Sequence, residues 1–101
     1  MRYLIHCFIF IHSTDAKLEL RDSARSITSA VSKAAKMSND LARKVSKMLD
    51  RGQEFEWTPV WVRDKKTRDL WEWQDDGDCL EECYTYEPRF IYPRNARKGR
   101  E

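Results

Sequence analysis

The chain has 101 residues, of which 41% are hydrophobic, 12% aromatic and 36% charged. A chain of this length forms one domain and can bury a core without disulfides. Its apolar content excludes a disordered protein, and no apolar run reaches the ~20 residues of a membrane-spanning helix. Three cysteines cannot all pair within one chain, so we expect a reducing, cytoplasmic location.

Charge is distributed unevenly, although the net charge is only +2. Residues 1–51 carry ten basic and five acidic side chains, whereas residues 52–101 carry nine basic and twelve acidic ones. Within the second half, residues 69–87 contain eight acidic side chains and no basic one. Separate fields of opposite sign suit a protein partner better than bare nucleic acid.

The first predicted element is the apolar segment YLIHCFIFI at residues 3–11. Its β-branched and aromatic residues, without glycine or proline, predict a β-strand. Both alternate faces are largely apolar, so we expect a central strand that is covered on both sides, or covered on one side and used as an interface on the other. A signal peptide is disfavoured because His6 and His12 interrupt or flank the apolar run.

The longest periodic segment, residues 20–49, predicts an amphipathic helix. Its apolar side chains recur in steps of three and four and share one helix face. The start is ambiguous, because residues 16–24 also alternate like a strand, and Asp22 or Ser23 is the expected N-cap. The helical period is unambiguous from Ala24 to Leu49.

Three poor helix formers, Ser38, Asn39 and Asp40, lie in the middle of this segment. They favour either a break with a second N-cap or a kink. The apolar stripe passes through them in phase, which favours one continuous helix. Thirty residues at about 1.5 Å each would overhang a domain of this size, so we expect a homodimer or a stable complex with another protein.

Short alternating segments follow the helix at residues 54–62, 70–74 and 79–86. Pro59 predicts an edge or bulged strand, and Gly77 after Asp76 predicts a hairpin turn. The order predicts an α+β two-layer sandwich: an N-terminal strand, one long helix, and an antiparallel meander of two to four strands, giving three to five strands in all. We expect one domain over residues 1–93 and a basic, mobile tail over residues 94–101.

The sequence contains no defensible motif for catalysis, metal binding or nucleotide binding. Cys79 and Cys83 are spaced C-x3-C, which is not the spacing of a zinc knuckle, and Cys83 would occupy a calcium-loop position that requires a carboxylate. We therefore expect no metal, no cofactor and no enzymatic activity. A small toxin-type nuclease that uses His6 or His12 is the enzymatic alternative.

The favoured function is that of a small, non-enzymatic protein that binds another protein or protein complex. We expect an inhibitor or adaptor of a larger host complex, of the anti-defence kind that phages and mobile elements encode. Tryptophan is enriched at interfaces, and an acidic strip could occupy a basic groove of a partner. The residues expected to contact the partner are Trp71, Trp73, Asp75, Asp76, Glu81 and Glu82.

The alternative is a nucleic-acid-binding protein that uses the basic helix face and the tail. Contacts between these basic side chains and the phosphates of a nucleic acid would give weak, salt-sensitive affinity. The residues expected to make them are Arg43, Lys44, Lys47, Arg94, Arg97 and Lys98.

Overall fold

A computed structural model describes residues 1–75 and 77–83 of the chain. The expectations for Asp76, for the basic residues Arg94, Arg97 and Lys98, and for the domain end and tail lie outside the described residues. The elements in chain order are β1 (Tyr3–Ile11), β2 (Ala16–Ala24), α1 (Ile27–Asp50), β3 (Phe55–Trp57), β4 (Trp61–Asp64), β5 (Leu70–Gln74) and β6 (Cys79–Cys83). The helix packs on an antiparallel sheet, which confirms the α+β class.

Strand β1 forms the centre of the sheet, as its apolar composition predicts. The strand order is β2-β1-β4-β5-β6, and β3 pairs with β1 on the same side as β4. The first half of β1 pairs with β4, and residues 9–11 pair with β3. On its other side β1 pairs with β2 over nine residues without interruption.

Strands β3 and β4 form one line of chain that is interrupted around Pro59. Ile9 lies opposite Trp57 and His6 opposite Trp61, so the β3–β4 line holds one more residue than β1 in this interval. This is the bulge predicted from Pro59. The buried Thr58 completes the pairing, because its N–H donates to the Phe8 carbonyl at 2.9 Å and its Oγ1 accepts from the Phe8 N–H at 2.8 Å.

Helix α1 begins at Ile27, three residues after Ala24, from which the helical period was unambiguous, and the ambiguous residues before it are a strand. Residues 16–24 form β2, in which Leu20 lies opposite Cys7. Pairing along the whole of β1 outweighs the helical spacing of Leu20 and Ala24. The N-cap is Ser26, whose Oγ accepts from the Ser29 N–H at 3.2 Å. The addition of β2 gives six strands, which exceeds the predicted three to five.

The helix continues through Ser38, Asn39 and Asp40, as the in-phase apolar stripe predicts. Its 24 residues give a length of about 36 Å at 1.5 Å per residue. The helix is therefore shorter than the thirty residues from which the overhang was estimated, and shorter than the 43 Å longest dimension of the protein. A homodimer or a stable complex with another protein stays a prediction. No helix in the described part of the chain is both long enough and apolar enough to cross a membrane.

The core lies between α1 and one face of the sheet. The small side chains Ala30 and Ala34 are fully buried and allow the helix to approach the strands closely. The large buried side chains each contribute about 1.5–3 kcal/mol of hydrophobic stabilisation. The main contributors from the strands are Tyr3, Ile5, Cys7, Ile9, Ile11, Phe55, Val62 and Trp73, and from the helix Met37, Leu41 and Met48.

Candidate functional site

A groove runs along the second half of α1, between the helix, β3 and the turn that joins β5 to β6. Its volume is about 570 Å³, within the range of ligand-binding clefts. One wall is the flank of the helix, and the end is the β5–β6 turn. The lining residues are Ser38, Asn39, Leu41, Ala42, Val45, Ser46, Leu49, Trp57, Asp75 and Asp78.

The groove exists because the sheet opens between β3 and β5. Strand β3 pairs only with β1, whereas β5 pairs with β4 and β6. The bond from the Trp73 N–H to the Val60 carbonyl, at 2.8 Å, extends the β5 contacts beyond β4. No described strand lies between β3 and the β5–β6 turn, so the helix flank closes the gap on one side only.

The floor of the groove is apolar. Leu41, Val45 and Leu49 are spaced four residues apart and therefore lie on one side of α1. Leu41 is buried, whereas Val45 and Leu49 are half-buried. The half-buried Trp57 ring faces them from β3 and packs 6.2 Å from the Phe55 ring. These side chains leave apolar surface that a ligand could cover.

The edge of β3 supplies main-chain groups to the same opening. The N–H of Thr58 bonds to Phe8, and the carbonyl of Glu54 accepts from His12, so even-numbered residues direct their main-chain groups toward β1. Direction alternates along an antiparallel strand. The N–H and C=O groups of Phe55 and Trp57 therefore point away from β1, along an edge with which no described strand pairs. Of the two residues, Trp57 lines the groove, whereas Phe55 is fully buried.

Two carboxylates close the groove at the β5–β6 turn. Asp75 and Asp78 are both exposed, and the Asp78 N–H donates to the Asp75 carbonyl at 3.4 Å. Asp75 Oδ1 also accepts from Trp73 Nε1 at 2.6 Å and from Ser38 Oγ at 2.8 Å. These bonds fix the turn against the sheet and the helix, and the groove thereby ends in a fixed negative charge.

The two tryptophans predicted to contact a partner lie on the helix side of the sheet. Trp73 is 7% exposed and belongs to the core. Trp71 is half-buried, and its ring lies 6.4 Å from the Tyr3 ring. The groove instead uses Trp57. Sequence reasoning missed Trp57, Val45 and Leu49 as site residues, because their exposed flank depends on where the sheet opens.

The predicted acidic residues do not share one surface. Asp75 lies at the groove, whereas Glu81 and Glu82 are exposed on β6. Adjacent strand residues project to opposite faces. Glu82 is therefore on the side of its neighbour Trp71, and Glu81 is on the side of its neighbour Glu72.

The basic residues Arg43, Lys44 and Lys47 are exposed on α1. Arg43 forms an ion pair with Asp40, one turn earlier in the helix. None of the three lines the groove. They form a basic surface on the helix that is separate from the groove.

The two histidines have different surroundings. His6 is 2% exposed and lies between the rings of Phe8, at 5.5 Å, and Trp61, at 5.8 Å. Burial lowers the pKa of His6 to about 4, so the ring is neutral at physiological pH. His12 Nε2 lies 3.4 Å from Glu56 Oε1. Six residues of strand separate the two rings by about 20 Å, which is too far for joint action on one atom.

Other chemistry is sparse in the described residues. Burial raises the pKa of the Cys7 thiol to about 12, so this cysteine is a poor nucleophile. No group of three or more histidine, cysteine, aspartate or glutamate side chains among residues 1–75 and 77–83 is arranged to hold a metal ion.

The fold and the groove together define a two-layer α+β protein with an open groove between helix and sheet. Comparisons of the chain with protein-family models, curated proteins and solved structures found no match.

Proposed function

We propose that this protein binds another protein by receiving an extended segment of that partner in the groove beside α1. The observation that carries the proposal is the coincidence of three features in one groove. The β3 edge, with which no described strand pairs, borders the groove at Trp57, and the groove also has an apolar floor and an acidic end. A segment that adds a strand to a sheet edge uses this combination of main-chain bonds and side-chain pockets.

The groove accommodates a short segment. The helix wall from Ser38 to Leu49 is about 17 Å long at 1.5 Å per residue. An extended chain covers this distance in about five residues. Its main chain would bond to the outward N–H and C=O groups of Trp57, and alternate side chains would enter the apolar floor between Val45 and Leu49.

Charge selects the segment further. Asp75 and Asp78 lie at one end of the groove, so a lysine or arginine at the matching end of the segment is favoured. These carboxylates are exposed, and salt therefore screens their effect. They contribute mainly to the association rate and to the orientation of the segment.

The narrower form of this proposal is an inhibitor or adaptor of a larger host complex, of the kind that phages and mobile elements encode. One small domain with one groove can sequester a segment that the complex needs. The exposed Glu82, on the helix side of β6, would add an acidic contact to a basic partner, whereas Glu81 lies on the other face of the sheet. A cytoplasmic site of action belongs to the same proposal, since the odd cysteine number argues against a disulfide framework.

Selection from a displayed library of random peptides tests the groove directly. We expect enriched peptides to alternate apolar residues and to carry lysine or arginine at one end. Ala42→Glu places a charge in the groove at an exposed helix position, so it should abolish peptide binding without unfolding the protein. Ser32→Glu adds the same charge at an exposed position of α1 outside the groove and should leave binding intact.

Two results would refute the groove mechanism. One is a library that yields no enriched peptide with the wild-type protein. The other is a set of peptides whose affinity is the same for wild type and for Ala42→Glu.

The alternative proposal is nucleic-acid binding through the helix. Its support is the exposure of Arg43, Lys44 and Lys47 on one element. Binding by these residues would weaken steeply with added salt and would not depend on nucleotide sequence. A Lys44→Glu/Lys47→Glu variant that binds a single-stranded oligonucleotide as well as wild type at low salt would exclude this surface.

A further inference from the structure

Strand β2 is an edge of the described sheet, and α1 covers only its C-terminal end, where Lys33 Nζ donates to the Ser23 carbonyl at 2.6 Å. It pairs with β1 on one side, and no described strand pairs with its other side. Its nine residues contain no proline, and its register with β1 is free of bulges. Natural edge strands are usually short, bulged, interrupted or charged, because an open edge invites pairing with another chain. Strand β2 has only the charged side chains, and those of opposite sign can pair with a second copy.

The main-chain groups that face outward from β2 belong to its odd-numbered residues. The Lys65 N–H donates to the Arg2 carbonyl, and the Thr58 N–H donates to the Phe8 carbonyl. Even-numbered residues of β1 therefore bond toward β3 and β4, and odd-numbered residues bond toward β2. Through the register Cys7↔Leu20, the even-numbered residues of β2 bond to β1. Lys17, Glu19 and Arg21 consequently direct their main-chain groups outward.

The side chains along this edge alternate in charge. Lys17, Glu19 and Arg21 lie on the sheet face opposite the helix, in the order positive, negative, positive. The other face carries Leu18, which is 41% exposed and is one of the few exposed large apolar side chains of the described residues. Such an edge complements its own reversed sequence when the two copies are offset so that Glu19 of each lies opposite a basic residue of the other.

We propose that β2 pairs antiparallel with β2 of a second copy of the chain, around a two-fold axis at Leu18. In this register Lys17 lies opposite Glu19 of the second copy, and Glu19 lies opposite its Lys17. Leu18 lies opposite Leu18 in a pair without hydrogen bonds, where side chains approach most closely. Both exposed leucines are then covered by one another.

The direction of the main-chain groups and the charges together select this register. Only registers that place odd-numbered residues opposite odd-numbered residues form hydrogen bonds. An axis at Glu19 would place Lys17 opposite Arg21 and Glu19 opposite itself, which is repulsive. An axis at Leu20 would pair Glu19 with Arg21, but it would place Leu18 opposite Asp22. It would also need the Ser23 carbonyl, which accepts from Lys33 Nζ at 2.6 Å.

The dimer and the groove use different parts of the molecule. The two-fold axis is perpendicular to the sheet, so both α1 helices lie on one face of a continuous ten-strand array. The groove beside β3 lies across β1 from the dimer edge and stays open in both copies. Dimerisation through β2 and peptide binding in the groove are therefore independent of each other.

Sedimentation of three charge variants tests the proposal. The wild-type protein should dimerise reversibly. Lys17→Glu and Glu19→Lys each place like charges opposite one another at two symmetric positions, so each should weaken dimerisation by about tenfold or more. The double variant Lys17→Glu/Glu19→Lys should restore the wild-type dissociation constant, because the exchanged charges face each other across the axis.

The double variant has the composition and net charge of wild type, and circular dichroism checks that all variants are folded. A folded wild-type protein that stays monomeric at millimolar concentration would overturn the proposal. So would a double variant that dimerises no better than the single variants, because the register at Leu18 requires the rescue.

Discussion

Ser38 and Asp75 are joined by a 2.8 Å hydrogen bond from the Ser38 hydroxyl to Asp75 Oδ1, although 37 residues separate them in the chain. The same oxygen accepts from Trp73 Nε1. One carboxylate oxygen therefore connects the middle of the helix, a core tryptophan and the β5–β6 turn. The end of the groove is held in place by this connection.

Replacement of Asp75 should destabilise the fold as well as the groove. Asp75→Ala removes the acceptor of the Trp73 indole N–H, and a buried donor without a partner costs about 1–3 kcal/mol. Ser38→Ala removes one hydrogen bond and should cost about 0.5–1.5 kcal/mol. Urea unfolding measures both values. Equal stability of Asp75→Ala and wild type would show that the indole finds another acceptor.

The hydroxyl group of Thr58, rather than the volume of its side chain, should account for its contribution to stability. Thr58→Val keeps the volume but leaves the Phe8 N–H without its acceptor, so we expect a loss of about 1–3 kcal/mol. Thr58→Ser keeps the hydroxyl and should be the milder change. Chemical denaturation of the two variants decides the question, and a valine variant as stable as the serine variant would contradict the role given to Oγ1.

Asp64 should contribute to stability against acid. It is buried and accepts from Arg2 Nε and Nη2 and from the Lys66 N–H, and these bonds hold the pKa of the carboxyl well below its usual range. A depressed pKa gives stability that is fully present above the ordinary aspartate value of about 3.9. This stability is lost as the pH falls toward the folded pKa.

Asp64→Asn should therefore be less stable than wild type at neutral pH, and the difference should shrink below pH about 4. Unfolding curves collected from neutral to acidic pH provide the measurement. Asp69→Asn, at an exposed position near the same turn, is the matched control and should not change the acid dependence in this way. A difference that is constant with pH would refute the pairing with Arg2.

His6 should lower the stability of the protein as the pH falls from 6.5 toward 4, which is a higher pH range than that of Asp64. Burial lowers its pKa to about 4 from an ordinary value of 6.5, so between these values the unfolded chain binds a proton that the folded chain does not. Stability should fall as the pH falls from 6.5 toward 4. His6→Phe should flatten this dependence and His12→Gln should keep it. Parallel pH profiles for His6→Phe and wild type would contradict the assignment.

The elements with strong local patterns were predictable from sequence. The β1 segment is apolar on both faces, and α1 keeps one stripe in phase across Ser38 to Asp40, so neither needed tertiary information. The assignment of β2 did need it. Leu18, Leu20 and Ala24 satisfy a strand period and a helix period in part, and the pairing of Leu20 with Cys7 decides between them.

The candidate site was less predictable than the fold. Trp71 and Trp73 were expected on one face of a strand, and they do share the face that packs beneath the helix. Their burial and the exposure of the Trp57 and Val45 flank depend on the separation of β3 from β5. That separation is a property of the assembled sheet, and no local pattern in residues 54–74 encodes it.

The extra residue at Pro59 reverses the face of the sheet toward which the following side chains of β4 point. Trp57 and Trp61 are four residues apart and would share a face of an uninterrupted strand, yet Trp57 opposes Ile9 and Trp61 opposes His6, on opposite sides of the sheet. Regular pairing through residues 58–60, without the bulge, would turn Val62 outward and bring Arg63 beneath the helix. The extra residue therefore decides which face of the sheet each side chain of β4 occupies, and deletion of one residue here would remove the bulge but keep Val62 beneath the helix.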